Sequence, residues 1–213
     1  MDFDFATLTP AERYKLLGSS ITPRPIAWIT TQSAAGLRNA APFSFFNAMG
    51  ANPPLLAIGI MQRPDGSLKD TAANILETGE FVVHLVSEAM AHAMNLTCID
   101  APADYDEIAM AALETEPSTQ VTPPRLAGAP VAMECRLHQA IPAGTSTIVL
   151  GEVLHFHIAD GLADPERLHV DTLGLDLVAR MHGGGWYARQ TDLFDMPRPR
   201  FEDWKAAHEG KDS

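Results

Sequence analysis

Positive charge is what this chain has least of: 15 Lys plus Arg stand against 27 Asp plus Glu, a formal net charge of −12 over 213 residues. That balance opposes broad attachment to phosphate backbones or anionic lipid, so neither nucleic acid nor a membrane surface is an expected partner. Cysteine is almost missing as well. Cys98 and Cys135 form no CxxC and belong to no Cys/His run of zinc-ligand spacing. They read as two reduced, buried thiols, with a disulfide between them as the alternative. No apolar run reaches the ~18 residues of a membrane span. The start "MDFDFATLTPAERYK" lacks the basic region and apolar stretch of an export signal, so a cytoplasmic protein is expected. GxSxG, HExxH, GxxxxGK[ST] and GxGxxG are absent too, and hydrolase triads, zincins and common nucleotide loops gain no support. His155 and His157 share a strand face but have no identifiable third ligand, so no metal site is assigned.

What is present is 46% hydrophobic residues, enough for the core of one domain. That domain is expected over residues 1–200, followed by a charged tail at 201–213 whose last residues, "EGKDS", are expected to be mobile. "TPAERYKLLGSS" reads as a capped helix, with Thr9 before Pro10 and Glu12. "ITPRPIAWITT" and the turn in "QSAAGLRN" suggest a hairpin. "LLAIGI", Leu55 to Ile60, reads as a buried strand, and "SLKDTAANILETGEFVVHLVS" as a helix ending at Gly79 and then a strand. "SEAMAHAMNLT" and "ADYDEIAMAALETE" look helical and peripheral. The Pro-rich "PSTQVTPPRLAGAP" is a long connection before the strand "VAMECRLHQA". In "STIVLGEVLHFHIADG", Ile148, Leu150, Leu154, Phe156 and Ile158 share one apolar face by period-two alternation, interrupted by Glu152. Many strands and few helices indicate a mainly β chain: an antiparallel barrel with appended helices.

Four stretches can carry chemistry, each with a plainer reading beside it. In "RPDGSLKDTAANI", Ser67 and Asp70 suggest a capping box with the helix starting near Leu68. The same first turn, with Lys69 and Thr71, can hold a phosphate, although Asp70 would oppose an anion. In "NAAPFSFFNAMG", Ala40, Ala41 and Ala48 permit close approach of a planar ligand. Ser44 and Asn47 offer hydrogen bonds there, and Phe43, Phe45 and Phe46 supply walls; the alternative is a strand of core phenylalanines. Arg24 precedes the strand containing Trp28, Thr30 and Thr31, and can pair with phosphate or remain a solvated surface charge. "HGGGWYAR" leads through three glycines to Trp186, Tyr187 and Arg189, as a mobile cover or a plain loop.

Taken in order, "ITPRPIAWITT", "GLRNAAPFSFFNAMGANPPLLAIGI", "KDTAANILETGEFVVHLV" and "VLGEVLHFHIADG" resemble the flavin reductase-like, FMN-binding split-barrel family. The resemblance spans roughly residues 12 to 197, with "GGGWYARQTDLFDMPRP" similar to the family's closing segment. It implies a six-stranded antiparallel Greek-key split barrel with outer helices, commonly a homodimer with FMN near the subunit interface. It further implies that Ser44, Phe45 and Asn47 lie along the flavin, and that Lys69 and Thr71 hold its phosphate. Thr30 and Thr31 would approach the ribityl chain or ring, Arg24 would lie near the phosphate, and Tyr187 and Arg189 near the flavin, in the same subunit or across the dimer. The implied activity is hydride transfer from NADH or NADPH to FMN, with a monooxygenase as a possible recipient of reduced flavin. Because the flavin carries that chemistry, no catalytic side chain is assigned. An FMN electron carrier without a nicotinamide site, and a cofactor-less barrel serving as an interaction module, are the alternatives.

Overall fold

The structure is a computed structural model and describes residues 1–208. Its centre is a seven-stranded sheet, antiparallel at every pairing: β1 (Ala27–Gln32), β2 (Arg38–Phe43), β3 (Phe46–Ala51), β4 (Pro54–Met61), β5 (Glu80–Leu85), and a long hairpin of β6 (Val131–Ala143) and β7 (Ser146–Ile158). The spatial order is β2-β1-β5-β6-β7-β4-β3. β2 and β3 are therefore the two edges, yet only Ser44 and Phe45 separate them in the chain. Gly59 N–H donates to the Phe45 carbonyl at 2.7 Å, so the turn itself extends the β3–β4 ladder. A sheet whose opposite edges are joined by two residues must roll up, and a split barrel results.

One expectation is corrected here, because six strands become seven. The segment read as one awkward aromatic strand divides at Ser44–Phe45 and serves both edges, pairing with β1 before the break and with β4 after it.

Alternation along β4 sends Leu56, Ile58 and Ile60 inward, where they meet Ile29, Phe81, Val83, Val149 and the helix residues Ala72 and Ile75. A second cluster lies outside the barrel wall, with Trp28, Ile26, Ala40, Met94, Ile108 and Leu126 packed together. β1 and β5 are buried on both faces, β1 through Ala27, Trp28, Ile29, Thr30 and Thr31 and β5 through Phe81, Val82, Val83 and His84. In β7 the residues expected to share one face do not share one environment: Ile158 packs on the core, whereas Ile148 and Leu150 lie on the less buried side. Thr147, Val149 and Gly151 are buried, Ile148 and Leu150 are only half-buried, and Phe156 is 54% exposed. The cause is Phe81, whose ring fills the barrel against Gly151. A Cβ at that glycine would lie 2.3 Å from Phe81 Cζ.

The helices follow local rules with two exceptions. α1 (Pro10–Ser20) carries the expected reciprocal cap between Thr9 and Glu12. α2 (Asp70–Thr78) ends at Gly79 in the left-handed conformation, φ 76°. It starts later than expected, with Lys69 at the N-cap position and no capping side chain, because the Ser67 hydroxyl is spent on Asp65 at 2.6 Å inside the preceding turn. α3 (Ala91–Leu96) continues a short 3-10 turn, as expected. The helix expected over 103–116 shrinks to α4 (Glu107–Met110), since Ala112 turns to φ 51° and ends it. Residues 201–208, read as charged tail, form α5 (Phe201–His208), while "EGKDS" lies outside the described residues. Among the described residues no helix is long and apolar enough to cross a membrane.

The Pro-rich connection is held to the barrel by polar side chains. Glu134, fully buried, accepts from Thr119 N–H at 2.8 Å and Gln120 N–H at 2.5 Å and meets His157 Nε2 at 2.6 Å. Burial alone would raise the Glu134 carboxyl, but these donors reverse the sign and hold it low. Buried His84 faces the Trp28 carbonyl with Nδ1 and accepts from Leu126 N–H with Nε2, both at 2.9 Å. That arrangement fixes a neutral ring, and burial pushes its pKa down to about 4.

Closure around Phe81 gives a direct test. Gly151→Ala should lower unfolding stability by about 1–3 kcal/mol, the usual cost of overpacking a full core. The urea midpoint measures it, and Phe81→Leu in the same chain should recover part of the loss.

Candidate functional site

β2 presents a wall to a cleft, and each end of the cleft is built by a different helix. At one end a hollow of about 160 Å³ is lined by Asn39, Ala41, Phe43, Arg63, Lys69 and Thr71, with Cys98 and Asp100 opposite. At the other end a hollow of about 300 Å³ is lined by Ser44, Met94, Asn95, Arg180, Gly184 and Tyr187. Pro42, Phe43 and Cys98 border both, so the two form one cleft along the strand.

The first end is suited to an anion. α2 opens into it without a side-chain cap, leaving the first-turn N–H groups for an external acceptor at the positive end of the helix dipole. Among the described residues, the one ion pair of Lys69 Nζ is a 3.7 Å contact to exposed Asp100. Asp70, which would repel a phosphate, is paired with Arg63 at 2.6 Å.

Behind this end lies a buried polar chain. Thr31 and Thr71 both donate their hydroxyls to Asn39 Oδ1, at 3.1 and 2.8 Å. Asn39 Nδ2 donates to Glu107 Oε2 at 3.0 Å, and Asn74 Nδ2 donates to Thr31 Oγ1 at 3.0 Å. Burial raises the Glu107 carboxyl pKa; the hydrogen bonds from Asn39 and the Ala40 N–H oppose that rise, and nearby Asp70 adds to it. The network joins α2, β1, β2 and α4, which sets the uncapped helix end at a fixed offset from the strand wall.

The sequence-derived candidates separate into three groups. Ser44, Lys69, Thr71 and Tyr187 all border the cleft. Thr31 and Arg24 act one layer behind. Arg24 is buried, not solvated, and its guanidinium bonds the Gly18 and Ile21 carbonyls at the end of α1 and reaches Ser44 Oγ at 3.3 Å, bracing the turn between the strands. Thr30, Phe45, Asn47 and Arg189 do not border the cleft. Thr30 points to the opposite face of β1 and bonds the Pro124 carbonyl at 2.6 Å. Phe45 turns toward Tyr14, 6.0 Å between centroids, and Asn47 sits on exposed β3 with its side chain on Ala48 N–H. Arg189 pairs with Glu88.

The reading by sequence missed Asn39, Arg63, Glu107 and Arg180. Arg180 lies over the Tyr187 ring at 4.9 Å and so closes the far end. Cys98 also changes status: it is exposed and borders both hollows, whereas Cys135 is buried, and both are free thiols. The His155 and His157 rings meet at 4.5 Å between centroids, tilted by 45°. Among the described residues no group of three or more His, Cys, Asp or Glu can hold a metal ion.

The model of the flavin reductase like domain matches residues 19–174, a span that contains all seven barrel strands and α2 to α4. The chain belongs to the flavin reductase-like family. An uncharacterized protein of Deinococcus radiodurans is 42% identical over 99% of this chain and 97% of its own length. Among solved structures, nitrilotriacetate monooxygenase component B from Bacillus cereus is 34% identical, with TM-score 0.87 over 92% of this chain and 98% of that one. The 2-nitrobenzoate 2-nitroreductase of Pseudomonas fluorescens is 35% identical, with TM-score 0.86 over 94% and 98%. Family membership points to a flavin cofactor, and the residues of the cleft fit one: an uncapped helix end and a lysine at one end, a stretch of strand between, and an aromatic ring at the other.

Asn39 should be the costliest residue to lose. Asn39→Ala leaves Thr31, Thr71 and Glu107 short of partners and should lower stability by about 2–3 kcal/mol in denaturant titration. Asn47→Ala, on the exposed edge, should change it by less than about 0.5 kcal/mol.

Proposed function

We propose that this chain is an NAD(P)H-dependent flavin reductase that holds FMN in the cleft, phosphate toward α2 and ring along β2. The observation that carries the reading is the uncapped start of α2 beside Lys69, facing a strand wall that runs on to Ser44 and Tyr187. When bound, FMN supplies hydride acceptance from the nicotinamide and onward electron donation. The chain's own residues bind and orient. Lys69 and the first-turn N–H groups neutralise the phosphate. The Thr71 hydroxyl is already committed to Asn39, so Thr71 serves through its backbone N–H.

Pro42 and Phe43 shape the middle of the cleft, and Ser44, braced by Arg24, offers a hydroxyl at the ring end. Tyr187 and Arg180 cover that end and restrict water. No side chain needs to act as nucleophile or general base, because hydride transfer demands stacked rings held close.

A homodimer and a cytoplasmic location belong to the same proposal. Exposed Tyr14, Leu17, Ile21, Phe45 and Met49 lie on α1, its C-terminal end, the β2–β3 turn and β3, with Tyr14 against Phe45, an apolar surface suited to a second copy. The likeness to a monooxygenase component B supports a monooxygenase as the recipient of reduced flavin.

Lys69→Ala tests the assignment. FMN affinity should fall roughly ten- to a hundredfold, the worth of a charge-assisted contact of about 1.5–3 kcal/mol. Calorimetric titration measures it, and NADH or NADPH oxidation with added FMN should persist at saturating flavin. Unchanged affinity would remove Lys69 from the site. Bound FMN that neither nicotinamide reduces would make the chain an electron carrier.

A further inference from the structure

The anion end of the cleft contains an acid. Glu107, the first residue of α4, lines the same small hollow as Lys69 and Thr71, although it is only 5% exposed. Its Oε2 accepts from Asn39 Nδ2 at 3.0 Å and from Ala40 N–H at 3.4 Å. Among the described residues no cation pairs with it. A buried carboxylate without a counter-ion is unfavourable, and one beside a bound phosphate is more so.

The surrounding charges are balanced without it. Lys69 and Asp70 come from α2, Arg63 from the turn after β4, and Asp100 and the Cys98 thiol from the loop after α3. Arg63 is paired with Asp70 and Lys69 with Asp100. Behind α4, Arg38 of β2 is paired with Asp106 at 2.7 Å. Each of these cations already has a carboxylate, so an ionised Glu107 leaves the hollow with negative charge in excess before any ligand arrives. Burial pushes the Glu107 pKa up, and nearby Asp70 adds to the rise. A phosphate brings further negative charge into the same partly desolvated space, where like charges repel strongly. A neutral carboxyl instead offers an O–H donor to a group whose oxygens accept.

We propose that Glu107 recognises the phosphate of the ligand as a neutral acid, taking up a proton from solvent as the phosphate enters. The carboxylate and one proton give the carboxylic acid, and no other bond changes. Oε1 carries the proton, because the two N–H donors occupy Oε2. The inference rests on the flavin reading above and adds to it a residue that reads the phosphate. The sign of the pH dependence follows from linkage: affinity is full where Glu107 is already protonated in the free protein. It falls as pH rises from the pKa of the free state to the higher pKa of the bound state.

Glu107→Gln is the test, since an amide keeps an oxygen for Asn39 and cannot ionise. FMN and riboflavin affinities of both proteins are measured by calorimetry from about pH 5 to about pH 8, a range suited to a raised carboxyl pKa. Riboflavin lacks the phosphate, and the phosphate's own ionisation affects both proteins alike. The FMN affinity of the unaltered protein should fall roughly tenfold relative to Glu107→Gln across that range, the worth of one pKa unit, while the riboflavin ratio stays constant. FMN affinities in a ratio constant within twofold would overturn the inference and leave the flavin reading intact. An equal fall with riboflavin would also overturn it, because the phosphate would then have no part in the effect. Infrared spectra of the unaltered protein decide the matter even where the variant fails to fold. The protonated-carboxyl band should persist to higher pH with FMN bound than with riboflavin bound, and identical titrations would overturn the inference. Failure of the unaltered protein to bind either flavin would overturn the flavin reading and this inference with it.

Discussion

One carboxamide sets the distance on which the site depends. Asn39 takes two threonine hydroxyls on its oxygen, one from β1 and one from α2, and gives its N–H to Glu107 on α4. Four elements are thereby locked to one another in a largely buried place, where an unmade hydrogen bond costs far more than a made one contributes. The consequence is geometric. α2 cannot slide relative to β2, so its uncapped end and the strand wall keep a constant offset, as an anchor and a ring support require.

The barrel supplies the other half of that constraint. Only two residues join the edge strands, and Phe81 fills the interior so fully that only glycine fits opposite it at position 151. A rigid wall results. Arg24, buried behind the turn, holds Ser44 in place from below. Electrostatics then select the ligand: a strongly acidic molecule gathers Arg63, Lys69 and Arg180 along one cleft, and neutralises Asp70 with Arg63. Those cations offer an anion a foothold on a chain of net charge −12.

Strands, the capped α1 and the Gly79 stop were legible because they follow from local pattern: period-two apolar residues, Thr-Pro-x-Glu, and a glycine in the left-handed region. The inward face of β7 was not, because Ile148 and Leu150 are more apolar than Gly151. What decided the matter was a phenylalanine 70 positions earlier in the chain. Lys69, Thr71, Ser44 and Tyr187, nominated through motif order, lie along one cleft. Thr30 and Arg189 entered through the family resemblance, but Thr30 faces away from Thr31 across the strand and bonds the Pro124 carbonyl, while Arg189 pairs with Glu88. Asn39 was overlooked although it opens the stretch "NAAPFSFFNAMG", because its partners Thr71 and Glu107 come from other segments. No local pattern announces a buried side chain that bridges three of them.

The most direct measurement is a crystal structure of the protein with FMN. The account predicts the phosphate at the first turn of α2, hydrogen-bonded to backbone N–H groups and Lys69, with the ring running past Phe43 toward Ser44 and Tyr187. A phosphate bound elsewhere, or a ring seated outside the β2 wall, would contradict it.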